Sequence, residues 1–430
     1  MATLTMSRPR DVVDGVVQVP GDKSVSHRAL MFSALADGTS RVRRILQSAD
    51  VKATAAVLRA LGWHVPDVSP DMTIPGAGLT SPLPSPVSRL ECGNSGTTTR
   101  LMAGVAAAQP FASTFVGDDS LSRRPMRRVA APLEAMGARV EFPEGGDGLP
   151  MVVHGGALHE VAWDLPVASA QLKSAVLLAG LCGRVPVRVR EPAPTRDHTE
   201  RLLRALGVAV SLGADGWITL QPAERLATLD LEVPGDPSSA AFFIARASLA
   251  SDGALRLSNV LRSPFRDGFV RAVRRMGARV LDEGERDGTE AADLVVEGGA
   301  ALEGIAIGRD DVTAMIDEIP MLAVLAARAH GVTEVRGAAE LRVKESDRIT
   351  AVVSNLRAIG VEAEELPDGL VVRGTDAALA GHVVTHGDHR IAMAFGVLGA
   401  TRNCSITVDD PGCVHVSFPG FWEALADVAR

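Results

Sequence analysis

Tyrosine is absent from the 430 residues, and aromatic side chains of all kinds make up only 3%. A stacking platform of the sort that holds single-stranded nucleic acid is therefore missing. There are four cysteines, Cys92, Cys182, Cys404 and Cys413, without CxxC spacing. A disulfide framework or zinc ribbon is not expected from so few, and a reducing cytoplasm suits them best. No apolar run approaches the ~20 residues of a membrane helix. Met1–Arg10 lacks an apolar core, so no signal peptide is expected. Charge of neither sign gathers in a block: 44 basic residues face 52 acidic ones, a net of −8, which argues against a nucleic-acid binder. There is no Walker A motif, no GxSxG elbow and no GxGxxG after a strand. His386-x-x-His389 is not an HExxH pair, so no metal site is indicated.

Lysine is scarce as well. Only Lys23, Lys52, Lys173 and Lys344 stand among the 44 basic residues. In a chain so weighted toward arginine, a lysine marks a place where a compact ammonium is not replaceable by a planar fork. Lys52 reads as a solvated exception and Lys173 as helix surface. Cys92, beside Gly93, reads as a small buried residue rather than a nucleophile.

What the chain does have is repetition. A helical phrase ending in apolar-Gly recurs as Leu58–Gly62, Leu133–Gly137, Leu203–Gly207, Val273–Gly277 and Leu356–Gly360, with glycines 75, 70, 70 and 83 residues apart. Glycine just past the last apolar residue is a helix stop. A second, Ala/Leu-rich helix precedes each, beginning near Ser24, Thr97, Ala170, Ser238, Asp317 and Asp388. Asp-Gly pairs at 147–148, 215–216, 287–288 and 368–369 read as hairpin turns. The unit is helix, strand, helix, strand, turn, strand. Six copies divide into two lobes of three, with crossings near Pro20-Gly21 and Pro234-Gly235. The first lobe is expected at 21–234. The second is expected at 1–20 plus 235–430, its sixth unit completed by Thr3–Val19. A continuous solenoid is the alternative.

The first-type helix starts carry unusual chemistry. A helix amino end presents unpaired N–H groups and partial positive charge, which suit phosphate or carboxylate. Ordinary capping explains Ser238 and Asp317. It does not explain why Lys23, Arg28, Arg100 and Arg390 gather at such starts. Ser120–Arg128 packs four arginines into nine residues, while Thr195–Thr199 and Leu341–Arg348 add polar clusters at strand-to-helix junctions. A cleft lined by cations and helix ends, with carboxylates Asp317, Glu345 and Asp388, suits small polyanions and proton transfer. The residues by themselves do not say which polyanions.

GDKSVSHR (21–28), GNSGTTTR (93–100), RRPM (123–126), SAQLKSA (169–175), TRDHTE (195–200), PGDPSSAAF (234–242), MIDEIP (315–320), LRVKESDR (341–348), DHRIAM (388–393) and SFPGFW (417–422) run in order over nearly the whole chain. This series resembles the 3-phosphoshikimate 1-carboxyvinyltransferase (5-enolpyruvylshikimate-3-phosphate synthase) family of enolpyruvyl transferases. The resemblance implies an α/β (α+β) fold of two lobes, each of three βαβαββ units, with the active site in the interlobe cleft. It implies transfer of the enolpyruvyl group of phosphoenolpyruvate to the 5-hydroxyl of shikimate 3-phosphate, without metal or organic cofactor. A cytoplasmic monomer inhibited by glyphosate, with no nucleic-acid or membrane partner, is expected.

Carried over by motif, Lys23 is expected to lie between both substrates. Ser24, Arg28, Ser169, Ala170 (through its backbone), Gln171 and Arg196 are expected to hold shikimate 3-phosphate, with Arg196 at its phosphate. Gly96, Arg124, Arg348 and Arg390 are expected at phosphoenolpyruvate, with Gln171 close by. Asp317 is expected to take the hydroxyl proton with Lys344 nearby, and Glu345 to act as acid–base on the vinyl carbon. Two phosphates and two carboxylates bring roughly −6. Lys23, Arg28, Arg124, Arg196, Lys344, Arg348 and Arg390 bring seven positive charges.

Two departures from the family pattern stand out. Val416 occupies a place where many members carry lysine. Gly96 stands where the glyphosate-insensitive branch, which the wording otherwise resembles, commonly has alanine, so partial sensitivity is expected. A UDP-N-acetylglucosamine enolpyruvyl transferase, which the resemblance would give a loop cysteine or aspartate, is disfavoured: the stretch 117–124 offers Asp118 and Asp119 but no cysteine, and the shikimate-phosphate motifs stand at Ser24–Arg28 and Thr195–Arg196. A non-catalytic anion binder is disfavoured by the presence of Asp317, Lys344 and Glu345.

Overall fold

All five glycines of the recurring phrase lie just beyond a helix with positive φ, from 86° at Gly207 to 109° at Gly137. The residue after each donates its N–H back to the carbonyl of the phrase's first apolar residue, as Trp63 does to Leu58 at 3.0 Å and Val361 to Leu356 at 2.9 Å. This closes the helix ends Ala49–Ala60, Arg127–Ala135, His198–Ala205, Gly268–Arg275 and Arg348–Ala358. The computed structural model describes residues 3–7, 11–80, 83–284 and 290–428.

The Ala/Leu-rich helices are Lys23–Leu35, Gly96–Ala107, Ala170–Gly183, Pro237–Ser248, Ile319–Ala326 and His389–Gly399. Each is buried nearly all round, which is why its apolar residues form no single stripe. Close approach between Gly96–Ala107 and Ala170–Gly183 depends on Gly104. A Cβ there would sit 2.1 Å from the Ala175 carbonyl oxygen.

The chain forms two compact units, Gly21–Val233 and Met1–Pro20 with Pro234–Arg430. Each has its own apolar core. Among the described residues, six small sheets carry the repeat. In Gly21–Val233 they are centred on parallel pairs: Thr39–Arg43 with Asp230–Glu232, Ala112–Val116 with Leu90–Glu91, and Val187–Arg190 with Val161–Asp164. In the other unit the pairs are Asp252–Leu257 with Val12–Val17, Val332–Val335 with Ala306–Ile307, and Cys404–Val408 with Leu379–Val383. Antiparallel strands complete every sheet.

Three details differ from the reading of the sequence. Of Thr3–Val19, only Leu4–Ser7 joins the sixth sheet, antiparallel to Cys404–Val408. Val12–Val17 instead begins the fourth sheet, because Val13 and Val17 bury into the core beside Pro237–Ser248. Asp215-Gly216 and Asp368-Gly369 do turn hairpins. Asp147-Gly148, however, lies in a longer loop and anchors the arginine-rich segment: Met126 donates to the Asp147 carbonyl and Leu149 to the Ser122 carbonyl. Asp287-Gly288 lies outside the described residues. Among the described residues no helix is long and apolar enough to cross a membrane.

Candidate active site

Five of the six buried helices begin with a side chain accepting from the first turn. Asp22 accepts from Val25 N, Ser95 from Thr98 N, Ser169 from Leu172 N, Asp236 from Ser238 N and Asp388 from Arg390 N. Three of these ends thus already hold a carboxylate. Those at Gly96 and Ala170 are capped by neutral serines and keep their affinity for an anion. Ser238 and Asp317 are not the caps the sequence indicated. Asp317 lies in a 3-10 turn, Ile316–Glu318, ahead of Ile319–Ala326, and its carboxylate is engaged elsewhere.

In Gly21–Val233, one group gathers around Arg28, which is 3% exposed. Its Nε donates to Thr199 Oγ1 at 2.7 Å, Nη2 to Ser174 Oγ at 2.7 Å and Nη1 to the Ser24 carbonyl at 3.0 Å. Burial draws its pKa down to about 10; Glu200 and Asp22 resist this, and the neighbouring charge of Arg196 adds to it. The charges of Arg28 and Arg196 are thus close enough to be felt by one another. Lys23 Nζ pairs with Asp50 Oδ2 at 3.0 Å. His27 is buried on the same helix and bonds Thr54 Oγ1 at 2.6 Å through Nδ1. Burial, with Lys23 and Arg28 adding to it, holds the imidazole well below its ordinary value, so it is neutral.

The helix start at Gly96 is linked to that at Ala170. Arg100 Nη1 donates to Gln171 Oε1 at 2.8 Å, and Gln171 Nε2 donates to Thr97 Oγ1 at 3.0 Å. Arg124 Nη2 donates to Asn94 Oδ1 at 2.6 Å and Nη1 to the Asn94 carbonyl at 3.2 Å, which brings its guanidinium beside Gly96. Asp118 caps the short helix Asp119–Ser122 and accepts from Asn94, a structural use of that side chain. Cys92 is fully buried, and burial pushes its thiol up to about 12, so it is no thiolate nucleophile.

In the other unit the candidates centre on Arg348, 1% exposed. Its Nε donates to Asp388 Oδ2 at 2.8 Å, Nη2 to Glu345 Oε2 at 2.6 Å, and Nη1 reaches Asp317 Oδ1 at 3.4 Å. Burial opposes the charge, but Asp388, Glu345 and Asp317 together raise the guanidinium pKa above its ordinary value. Burial likewise opposes the Asp388 anion, yet Arg348 holds its carboxyl below the usual range. Lys344 Nζ lies 3.4 Å from Asp317 Oδ1, and Arg390 Nη1 donates to the Asp317 carbonyl at 3.1 Å. One guanidinium therefore grips the proton-transfer candidates Asp317 and Glu345 together. Val416 is half-buried at the end of the 3-10 turn Pro411–Val416.

The candidates thus fall into two groups. Lys23, Ser24, Arg28, Gly96, Arg124, Ser169, Ala170, Gln171 and Arg196 belong to Gly21–Val233. Asp317, Lys344, Glu345, Arg348 and Arg390 belong to the other unit. Asp50, Ser174, Thr199, Glu191 and Glu200 escaped the sequence reading as partners. Ser174, Thr199 and Glu200 lay inside quoted motifs, whereas Asp50 and Glu191 carried no signal of their own. Lys173, read as helix surface, is 1% exposed and pairs with both Glu191 and Glu200. Among the described residues no cluster of His, Cys, Asp and Glu suits a metal ion.

Sheets repeated sixfold, with anion-ready helix ends and gripped carboxylates, make up an architecture shared with known proteins. The chain superposes on the enolpyruvyl transferase NikO from Streptomyces tendae with a TM-score of 0.74 over 99% of this chain and 97% of that one, a likeness of fold at 18% identity. It belongs to the EPSP synthase (3-phosphoshikimate 1-carboxyvinyltransferase) family, whose model matches residues 7–425. It is 44% identical over 424 residues to the 3-phosphoshikimate 1-carboxyvinyltransferase of Sulfurihydrogenibium sp. (strain YO3AOP1), covering 97% of this chain and 98% of that one. For that of Xanthomonas euvesicatoria pv. vesicatoria (strain 85-10) the figures are 47% over 420 residues, 97% and 94%. A solved EPSP synthase from Acinetobacter baumannii is 39% identical, with a TM-score of 0.87 over 99% of this chain and 98% of that one.

Proposed function

We infer that the chain transfers the enolpyruvyl group of phosphoenolpyruvate to the 5-hydroxyl of shikimate 3-phosphate, giving 5-enolpyruvylshikimate 3-phosphate and phosphate. The observation that carries this is its membership of the carboxyvinyltransferase family over residues 7–425. The cluster in which Arg348 holds Asp317 and Glu345 supports it.

Arg28 and Arg196, with Ser24, Ser169, Gln171 and the Ala170 backbone, are assigned to shikimate 3-phosphate. Gly96, Arg124, Gln171 and Arg390 are assigned to phosphoenolpyruvate, and Lys23 to both substrates. Arg348 contributes its charge, while its N–H groups hold the carboxylates.

In the addition step, protonated Glu345 gives its proton to the vinyl CH2, making a methyl group. The 5-hydroxyl oxygen bonds the adjacent carbon and its proton passes to Asp317, with Lys344 beside it. In the elimination step a methyl proton returns to Glu345, the bond between that carbon and the phosphate oxygen breaks, and phosphate leaves with the proton held by Asp317. Preorganised cations stabilise charge on the departing phosphate without reorganising. Glyphosate inhibition, a monomeric state and a cytoplasmic location belong to the same proposal; the Gly96 site supports the first.

Phosphate release on mixing the protein with both substrates tests the assignment. Each substrate alone and UDP-N-acetylglucosamine as acceptor serve as controls. Release only with shikimate 3-phosphate is expected. Release with the nucleotide sugar, or with neither acceptor, would overturn it.

A further inference from the structure

Two parallel rungs join helix Ala170–Gly183 to helix His198–Ala205. In the first, Ser174 Oγ and Thr199 Oγ1 lie 2.7 Å apart and both accept from Arg28. In the second, one residue along each helix, Lys173 Nζ lies 2.7 Å from Glu200 Oε1 and 2.8 Å from Glu191 Oε2. All three charged groups are buried, with side-chain exposures of 1%, 3% and 7%. Glu191 then accepts from Thr195 Oγ1, the residue before Arg196.

A buried ion cluster costs desolvation that its own attraction barely offsets, so stability alone is a weak reason for it. This one sets two carboxylates against one ammonium, and burial pushes the Glu200 carboxyl above its usual range although Lys173 opposes the shift; Glu200 also bears on the charge of Arg28, as does Arg196 with the opposite sign. A second carboxylate is more than Lys173 needs for pairing. It does, however, tie the cluster to Thr195, the residue before Arg196.

The compactness of the ammonium also matters. Nζ bridges two carboxylates at under 3 Å from the first turn of a buried helix, a task for a compact ammonium and not for a planar guanidinium fork. Glu200 further bears on Arg28 through its charge, which favours the protonated guanidinium.

We propose that Lys173 is a positioning residue for the phosphate of shikimate 3-phosphate. It locks the Glu191–Arg196 segment and the His198–Ala205 helix to Ala170–Gly183, and so fixes the separation of Arg28 and Arg196. The proposal rests on the functional assignment above, because it presumes that these two arginines meet that phosphate.

The test is steady-state kinetics on Lys173→Met and Thr195→Val, varying each substrate in turn. Lys173→Met removes the bridge. Thr195→Val leaves the ion cluster intact and cuts only its link to Arg196, so it keeps the proposal testable where the first variant does not fold. The expected result is a rise in KM for shikimate 3-phosphate of roughly tenfold for Lys173→Met, the factor that loss of about 1.4 kcal/mol gives. A rise of a few-fold is expected for Thr195→Val. KM for phosphoenolpyruvate and kcat should stay within about twofold of the parent in both. An unchanged KM for shikimate 3-phosphate in the folded variants would overturn the proposal. So would a parallel loss in kcat and both KM values, the mark of general structural damage. If the parent releases no phosphate with shikimate 3-phosphate, the functional assignment itself fails, and that result is distinct from either.

Discussion

Substituting Gly96 by alanine tests the proposed phosphoenolpyruvate site most directly. The backbone there is not left-handed, so alanine fits its φ and ψ. The added Cβ would lie 2.6 Å from Arg100 Nη1 and 3.5 Å from Arg124 Nη1. Ordinary contact begins near 3.4 Å, so the end of Arg100 must withdraw by about 0.8 Å while Arg124 keeps its place. Withdrawal of that size stretches the 2.8 Å bond to Gln171 past useful length. A charged hydrogen bond of this type is worth about 1.5–3 kcal/mol. Gln171 retains its own bond to Thr97 and follows in part, so the smaller figure is the better guide. KM for phosphoenolpyruvate should rise about tenfold. Folding stability should hardly move, because alanine is the better helix former by up to about 1 kcal/mol. The methyl group also removes room beside Arg124, so glyphosate inhibition should weaken by more than KM rises. Initial rates of phosphate release, with phosphoenolpyruvate varied at saturating shikimate 3-phosphate and glyphosate present or absent, measure both effects. An unchanged KM with unchanged inhibition would refute the geometry. A parent enzyme indifferent to low-micromolar glyphosate at limiting phosphoenolpyruvate would refute the sensitivity assigned to Gly96.

Glu345→Gln should abolish turnover while phosphoshikimate binding, followed by calorimetry, persists; retained turnover would remove Glu345 from the proton transfers. Asp388→Asn deprives the buried Arg348 of its fully buried counter-charge and should cost about 3 kcal/mol in urea unfolding. A loss below about 1 kcal/mol would mean that Glu345 and Asp317 suffice to hold Arg348. His27 has a folded pKa below its unfolded value of 6.5, so the unfolded chain binds its proton first as the pH falls. Stability is therefore lost below about pH 6.5, by up to about 1.4 kcal/mol per pH unit from this group. Unfolding free energies between pH 7 and pH 5 should fall less steeply for His27→Asn than for the parent, and parallel slopes would refute the assignment.

Local structure was legible because it is written in neighbouring residues. Leu58–Gly62 and its four counterparts specify a helix, a left-handed stop and a returning N–H within a handful of positions. Strand partnership was less so, since the residues VVDGVV of Val12–Val17 suit the fourth sheet no better than the sixth. Only burial of Val13 and Val17 decides between them. At the candidate site, the residues that bear charge stood out by type and motif, while the groups that position them did not. Thr199 is 171 residues from Arg28, and Asp50 is 27 from Lys23. Such pairings are made by helix packing and leave no local pattern. Lys173 shows the same limit. Its neighbours in sequence are those of a buried helix, but the two carboxylates that explain a lysine there lie on the segment and helix beyond the next strand.

The pairing of Val12–Val17 with Asp252–Leu257, and of Leu4–Ser7 with Cys404–Val408, has a consequence for biosynthesis. As the chain leaves the ribosome, Gly21–Val233 carries all its own strands and can mature once Asp230–Glu232 has emerged. Leu4–Ser7 and Val12–Val17 cannot. At about 5–20 residues per second they wait on the order of tens of seconds for partners not yet translated. Through that interval two short β-segments, one bearing the valines of a future core, remain tethered to a finished neighbour. Leu4–Ser7 and Val12–Val17, though made before Gly21–Val233, are thus protected after it, and a nascent-chain chaperone that binds short apolar strands would find its substrate there.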